Sequence, residues 1–213
     1  MPVRYDERTA LIVADVQNDF ADPAGGLAVA GGDSIVPAVN REVERAAASG
    51  ATVVYTQDWH PPTTPHFAKD GGVWPVHCVA GTWGARLHPA LRILPSAEVV
   101  LKGTGGEDGY SAFSQRTPVG GPEPAGGGPE RAVPGAASTG LAELLEDRGV
   151  ERVVVVGLAT DYCVKETALD ALRLGLAATV VTDAVAAVEL RPGDGDEALD
   201  ELRRVGCQVV GEA

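Results

Sequence analysis

The stretch from Arg152 to Leu174, RVVVVGLATDYCVKETALDALRL, constrains the fold more than any other part of the chain. It opens with Val153 to Val156, a run too short for a helix and β-branched throughout, which predicts a strand buried on both faces of a parallel sheet. Gly157 is expected to end that strand. After a short turn, Val164, Ala168, Ala171 and Leu172 recur at helical spacing until Gly175 stops the helix. Cys163 falls where the turn becomes the first helical turn, with Asp161 as a candidate N-cap just before it. Free N–H groups and the positive end of the helix dipole stabilise a thiolate there, so the thiol pKa is expected to fall. A thiol so placed is a candidate nucleophile. The competing reading is a cysteine that serves only as a small buried hydrophobe.

The rest of the chain repeats this alternation. Leu11 to Ala14 predict a first buried strand ending at Asp15, and DVQNDF then leads into a loop rich in Gly, Ala and Pro. Ser34 can cap a helix with Ile35, Val39, Val43 and Ala46 on one face and Gly50 at its end. Ala51 to Tyr55 predict a second strand, followed at once by Thr56-Gln57-Asp58-Trp59-His60. From Pro61 to about Pro95 the sequence is irregular, and with Trp59 and His60 it holds all four histidines and all three tryptophans. A loop of that length inside a compact domain is usually functional. Ala97 to Leu101 predict a third strand, followed by Lys102-Gly103. Residues 117–137 are dense in Gly and Pro and suit a flexible surface insert. Leu141, Leu144 and Leu145 mark a short helix ended by Gly149. Beyond the central strand and helix come a strand at Ala178 to Thr182, a helix through Leu199, Leu202 and Val205, and a last strand near Gln208 to Val210.

Strands alternating with helices imply an α/β fold: a parallel sheet with right-handed crossovers and helices on both faces, in a single domain over residues 1–213. Ligands of such sheets bind beyond the carboxyl ends of the strands, where the strand order reverses. Four predicted strands end in a reactive group, namely Asp15, Asp58, Lys102 and Cys163. A thiol attacking a carbonyl carbon needs a base, which Asp15 can supply, and a cation that favours the charged forms, which Lys102 can supply. Asp58 and His60, two apart in extended chain, point to the same side, and His66 and His77 follow in the same loop. A carboxylate with imidazoles suits one divalent metal ion such as zinc, iron or manganese. The alternative is a set of surface histidines on a loop, which is the reading for His88.

The net charge of −13 argues against nucleic acid or an anionic membrane as a partner. No apolar run has the length of a membrane span, and MPVRYDERTA lacks the apolar core of a signal peptide. Cys78, Cys163 and Cys207 form no disulfide framework. The expected location is therefore the reducing cytoplasm, with Cys207 simply packed.

Several separated motifs, in order along nearly the whole chain, resemble the nicotinamidase/pyrazinamidase branch of the isochorismatase-like cysteine hydrolases. They are DVQNDF from Asp15, TQDWH from Thr56, HF at His66, WPVHCV around His77, LKG at Lys102, YSAF from Tyr110, and GLATDYCVKETALDA from Gly157. The resemblance implies a six-stranded parallel sheet and a catalytic triad of Asp15, Lys102 and Cys163. It also implies a divalent metal on Asp58, His60 and His77, with His66 as a further ligand in some members. A cis peptide between Leu158 and Ala159 is expected to aim the backbone N–H groups of Ala159 and Cys163 at an oxyanion. Phe20 and Trp74 match the aromatic walls of the substrate pocket, joined by Tyr110. The implied reaction is hydrolysis of nicotinamide to nicotinate and ammonia through a thioester, with pyrazinamide as a second substrate. A related small amidase, a metal-free isochorismatase-type hydrolase and a catalytically silent metal-binding module are the alternatives. The expected partner is a small-molecule substrate, and a homo-oligomer is left open. The segment after YSAF is longer than the family pattern and lies away from the motifs.

Overall fold

In the computed structural model, which describes residues 3–106, 108–115 and 137–211, six parallel strands form one sheet. In chain order the elements are β1 (Thr9–Ala14), α1 (Asn18–Ala21), α2 (Val36–Ala48), β2 (Thr52–Asp58), β3 (Glu98–Lys102), β4 (Ser114–Gln115) and β5 (Ala137–Ser138). They continue with α3 (Leu141–Asp147), β6 (Arg152–Leu158), α4 (Lys165–Arg173), β7 (Ala177–Ala186), α5 (Asp194–Arg204) and β8 (Gln208–Val210). The sheet order is β3-β2-β1-β6-β7-β8, while β4 and β5 pair separately as a short antiparallel ladder. From β1 the chain builds outward in one direction through β2 and β3. It then returns to β6 and builds outward in the other direction, so the strand order reverses between β1 and β6.

The central strands are apolar throughout because both faces are covered. Leu11, Val13, Val53, Tyr55, Val154 and Val156 face α2 through Val36, Val39, Val43 and Ala46. Ala10, Ile12, Val54, Val153 and Val155 face the opposite layer, where Leu141 and Leu145 of α3, Ala168 and Ala171 of α4, and Leu202 of α5 pack. Cys207 is buried in that second layer, as expected of a packing residue. Among the described residues no helix is long and apolar enough to cross a membrane.

Several local expectations change. Strands β2 and β3 run on to Asp58 and Lys102, making each of these the last residue of its strand, and the two are register partners. Ser34 does not cap α2. The helix starts at Val36 with Pro37 in its first turn, and the Ser34 hydroxyl donates to Asp33 instead. Pro37 lacks an N–H, so the first turn needs less capping. Val205 is the exposed C-cap of α5 and does not belong to its buried face. The expected insert at 117–137 lies outside the described residues except for Ala137, the register partner of Gln115.

Gly157 does not end its strand. It lies within β6 opposite Ala14, at φ 109°, where the β6–β7 register shifts. A Cβ there would sit 2.1 Å from the Ala14 carbonyl oxygen, so the close approach of β1 and β6 requires glycine. Gly157→Ala is therefore expected to lower the unfolding free energy by about 3 kcal/mol, from a steric clash and a disfavoured φ together. Urea denaturation measures it, and a loss within about 0.5 kcal/mol, the range of an ordinary surface substitution, would show that the two strands adjust freely.

Candidate active site

The first residue after β1, Asp15, is in the left-handed region at φ 47° and fully buried. Asparagine and aspartate tolerate that conformation better than other side chains. Thr56 of β2 holds it from both ends: the Thr56 hydroxyl donates to Asp15 Oδ1 at 2.6 Å and accepts the Asp15 N–H at 3.2 Å. Lys102 arrives from β3 with none of its surface exposed. Its ammonium lies 2.7 Å from Asp15 Oδ2, 2.9 Å from Asp58 Oδ1 and 3.5 Å from Cys163 Sγ. It also donates to the carbonyls of Gly109 and Tyr110. Cys163 belongs to a π-helical turn, Thr160–Val164, that runs directly into α4. Ligand atoms of Asp15, Asp58 and Cys163 all lie within 4.8 Å of one another. Strand ends on both sides of the β1/β6 reversal thus deliver the predicted acid, cation and thiol to one buried point.

Burial dominates the electrostatics of this cluster. Desolvation raises the Cys163 thiol well above its ordinary value; Lys102 opposes the rise, while Asp15 and Asp58 add to it. The expected lowering by the helix terminus is therefore overturned. Full burial beside two carboxylates acts in the opposite direction. Asp161 is not an N-cap either. Its carboxylate accepts the N–H groups of Val188 and Glu189, at 3.0 Å each, and so ties the turn to the segment after β7. Lys102 is desolvated, yet Asp15 and Asp58 keep its pKa well above the usual lysine range. For Asp58, desolvation is outweighed by Lys102, His60 and His77, and its carboxyl is held far below the usual range. Desolvation raises Asp15 despite Lys102, with Asp58 contributing to the rise. Lys102 thus sits between the two carboxylates, with the Cys163 sulfur beside it.

Beside this cluster stand His60, His66 and His77, all buried, each with a ligand atom within 4.8 Å of the others. Neither ring nitrogen of His60 has a hydrogen-bond partner, although both are buried, and Nε2 lies 3.6 Å from Asp58 Oδ2. A buried imidazole without partners costs free energy unless something else meets its lone pair. His77 directs Nδ1 at the Pro75 carbonyl at 2.8 Å, and His66 directs Nδ1 at the Asp108 carboxylate at 2.6 Å, which leaves Nε2 of each for another partner. Desolvation lowers His77 to about 4, so its imidazole is neutral at neutral pH. Three imidazoles and one carboxylate oxygen are a donor set that fits a divalent metal ion. Gly103, at φ 66°, makes room for the His60 ring: a Cβ there would lie 2.4 Å from His60 Cε1. His88 stays outside this group, half-buried, its Nδ1 accepting the Ala90 N–H.

Both clusters border one small, partly open cavity, lined by Phe20, Trp74, Tyr110, Tyr162, Leu27 and Val188 around Cys163. Phe20 and Trp74 are buried, Trp74 donates its indole N–H to the Tyr110 hydroxyl at 2.8 Å, and Tyr162 meets the Trp74 ring edge-on at 4.9 Å. Tyr110 is fixed from below: the Thr167 hydroxyl of α4 accepts the Ala112 N–H, Thr139 donates to the Ala112 carbonyl, and Ser114 donates to Asp170. The peptide between Leu158 and Ala159 is cis, as expected. Tyr162, Leu27, Val188 and Asp108 were not singled out from the sequence. Tyr162 adjoins Cys163 and could have been; Leu27 and Val188 come from loops without a distinguishing pattern.

The isochorismatase domain family matches residues 9–213, and the chain belongs to that family. It is 39% identical to a nicotinamidase of Acinetobacter baylyi, over 94% of this chain and 91% of that protein. Among solved structures, the pyrazinamidase of Pyrococcus horikoshii in complex with zinc is 35% identical with a TM-score of 0.80, covering 96% of this chain and 99% of that one. PnC1 from L. infantum in complex with nicotinate is 34% identical with a TM-score of 0.81, covering 100% of both chains.

Removing the central cation tests the whole arrangement. Lys102→Ala leaves Asp15 and Asp58 without a counter-charge and is expected to cost about 3–5 kcal/mol in stability. It should also move the alkylation profile of Cys163 to higher pH, since Lys102 is the group that opposes the rise in the thiol's pKa. Urea unfolding and iodoacetamide kinetics between about pH 5 and pH 9, bracketing the ordinary thiol value, read both effects. An unchanged alkylation profile would mean that Lys102 does not act on the thiol.

Proposed function

We propose that this enzyme hydrolyses nicotinamide to nicotinate and ammonia through a thioester on Cys163, and accepts pyrazinamide by the same route. The observation that carries the reading is the meeting of Cys163, Asp15 and Lys102 beside a small aromatic cavity whose wall holds His66 and His77, with His60 clustered behind them. The nicotinamidase and pyrazinamidase names of its relatives support the substrate class.

In this reading Asp15 takes the thiol proton, and the thiolate attacks the carboxamide carbon. Lys102 keeps the separated charges favourable without itself giving up a proton. The backbone N–H groups of Ala159 and Cys163 stabilise the tetrahedral oxyanion. Asp15 then protonates the departing amine, and ammonia leaves. Asp15 next deprotonates a water that attacks the thioester, releasing the acid and restoring the thiol. Phe20 and Trp74 hold the ring between them, with Tyr110 and Tyr162 closing the far side. Asp58, His60 and His77, with His66 as a fourth, would hold one divalent ion (zinc, iron or manganese), which when bound supplies a Lewis-acidic anchor for the ring nitrogen. The chain is expected to work in the cytoplasm.

Two outcomes follow. Cys163→Ala should abolish ammonia release while the circular dichroism spectrum stays unchanged, and Cys207→Ala should keep wild-type turnover; ammonia release by Cys163→Ala near the wild-type rate would remove the thioester. Benzamide, with the same carboxamide but no ring nitrogen, stacks in the cavity without that anchor. Its kcat/KM is expected to be on the order of 10²-fold below that of nicotinamide, the scale of an unmet polar contact, and pyrazinamide should stay a substrate. Chelation should abolish that preference, because misplacing the carboxamide forfeits the near-attack geometry. Equal hydrolysis of benzamide and nicotinamide by the metal-loaded protein would show that the histidines do not orient the ring.

A further inference from the structure

The three clustered histidines differ in what stands behind them. His60 has no hydrogen-bond partner on either nitrogen, and His77 is backed by the carbonyl of Pro75, two residues away in its own loop. His66 is backed by a carboxylate from a different loop: Asp108 Oδ1 lies 2.6 Å from Nδ1, across a separation of 42 residues. A carboxylate accepts only, so Nδ1 carries the hydrogen and Nε2 presents its lone pair to the other two rings. The same contact shifts electron density onto Nε2 and fixes the ring plane, which stacks on His60 at 4.6 Å between centroids. A second tie joins the two loops nearby, where the Thr64 hydroxyl accepts the His66 N–H and donates to the Gly106 carbonyl.

We infer that Asp108 is a positioning residue that makes His66 a metal ligand, setting the affinity of the His60–His66–His77 site through its carboxylate. The inference rests on the metal-binding part of the proposed function. Asp108 is well suited to the role because its side chain is 27% exposed, so its charge is held at little desolvation cost. It also stands at the start of a three-residue strap. Gly109 and Tyr110 give their carbonyls to Lys102, and the Tyr110 hydroxyl accepts from Trp74. One short segment thus aligns a histidine, the lysine and the cavity wall.

The test uses the full-length protein loaded with zinc or cobalt. Zinc affinity is measured by competition with a chromophoric chelator for the wild type, Asp108→Ala, Asp108→Asn, His66→Ala and the double variant Asp108→Ala/His66→Ala. Asp108→Ala is expected to weaken zinc binding about 10–100-fold, the range for loss of a ligand's backing group. Asp108→Asn, which keeps an acceptor without the charge, should fall between it and the wild type. In the His66→Ala background the same change should cost nothing further. The d–d absorption of the cobalt-loaded Asp108→Ala protein, which reports ligand number, should match that of His66→Ala. Wild-type affinity and spectrum in Asp108→Ala would overturn the inference. So would an equal loss with and without His66, since Asp108 would then act on the loop alone. A wild-type protein that binds no zinc or cobalt overturns it as well. One that binds zinc as described but releases no ammonia from nicotinamide overturns the proposed reaction and leaves this inference standing.

Discussion

A fully buried ammonium is the constraint on which the rest of the structure depends. Taking Lys102 out of water costs several kcal/mol, and no single partner offsets that. The compensation comes from Asp15 after β1, Asp58 at the end of β2, two carbonyls of the segment after β3, and the sulfur after β6. These groups are far apart in sequence, so the charge is neutralised only when the sheet has its native order. The sheet, in turn, brings two carboxylates together at its edge, which the lysine alone makes tolerable.

The parts of this arrangement legible in the sequence were those announced by a change of chemistry at the end of an apolar run. LIVA followed by Asp15 and RVVVVGL followed by the cysteine turn mark buried strands and, at the same time, what they deliver. The parts that could not be read depend on tertiary contact. Gly157 resembles a strand terminator in one dimension, whereas its place opposite Ala14 makes it a spacer inside the strand. The thiol's environment looked like a helix terminus, while full burial beside carboxylates decides its protonation. Asp161 resembled a cap because capping is local, yet its partners lie 27 and 28 residues on. Asp108 gave no sign, since an acidic residue in a glycine-rich loop is ordinary until a histidine is found against it.

The irregular chain between β2 and β3 shows how a site can be held without regular structure. Side chains of DVQNDF do what a ladder would otherwise do. Gln17 donates to the carbonyls of Asp58 and Ala85 and accepts the Asp58 N–H, and Asn18 donates to the Trp83 carbonyl. Asp19 accepts the N–H groups of Gly26 and Cys78, the latter next to His77. Asp19, in the same short motif as Asp15, therefore sets the backbone next to a histidine far along the chain, across a separation of 59 for the Asp19–Cys78 contact. Acid, aromatic wall and histidine loop are in this way one mechanical unit.

The β4–β5 ladder places Ser114 opposite Ser138, and hydrogen bonds from Ala112 and Ser114 to α4 anchor its near side. The ladder holds Gln115 beside Ala137, beyond Tyr110 and already fastened to a helix. Where two chain ends are pinned side by side, the entropy of closing a flexible connection between them grows only with the logarithm of its length. The ladder and α4, not the connection beyond them, hold the segment that carries Tyr110, so chain length can change there at little cost in closure entropy.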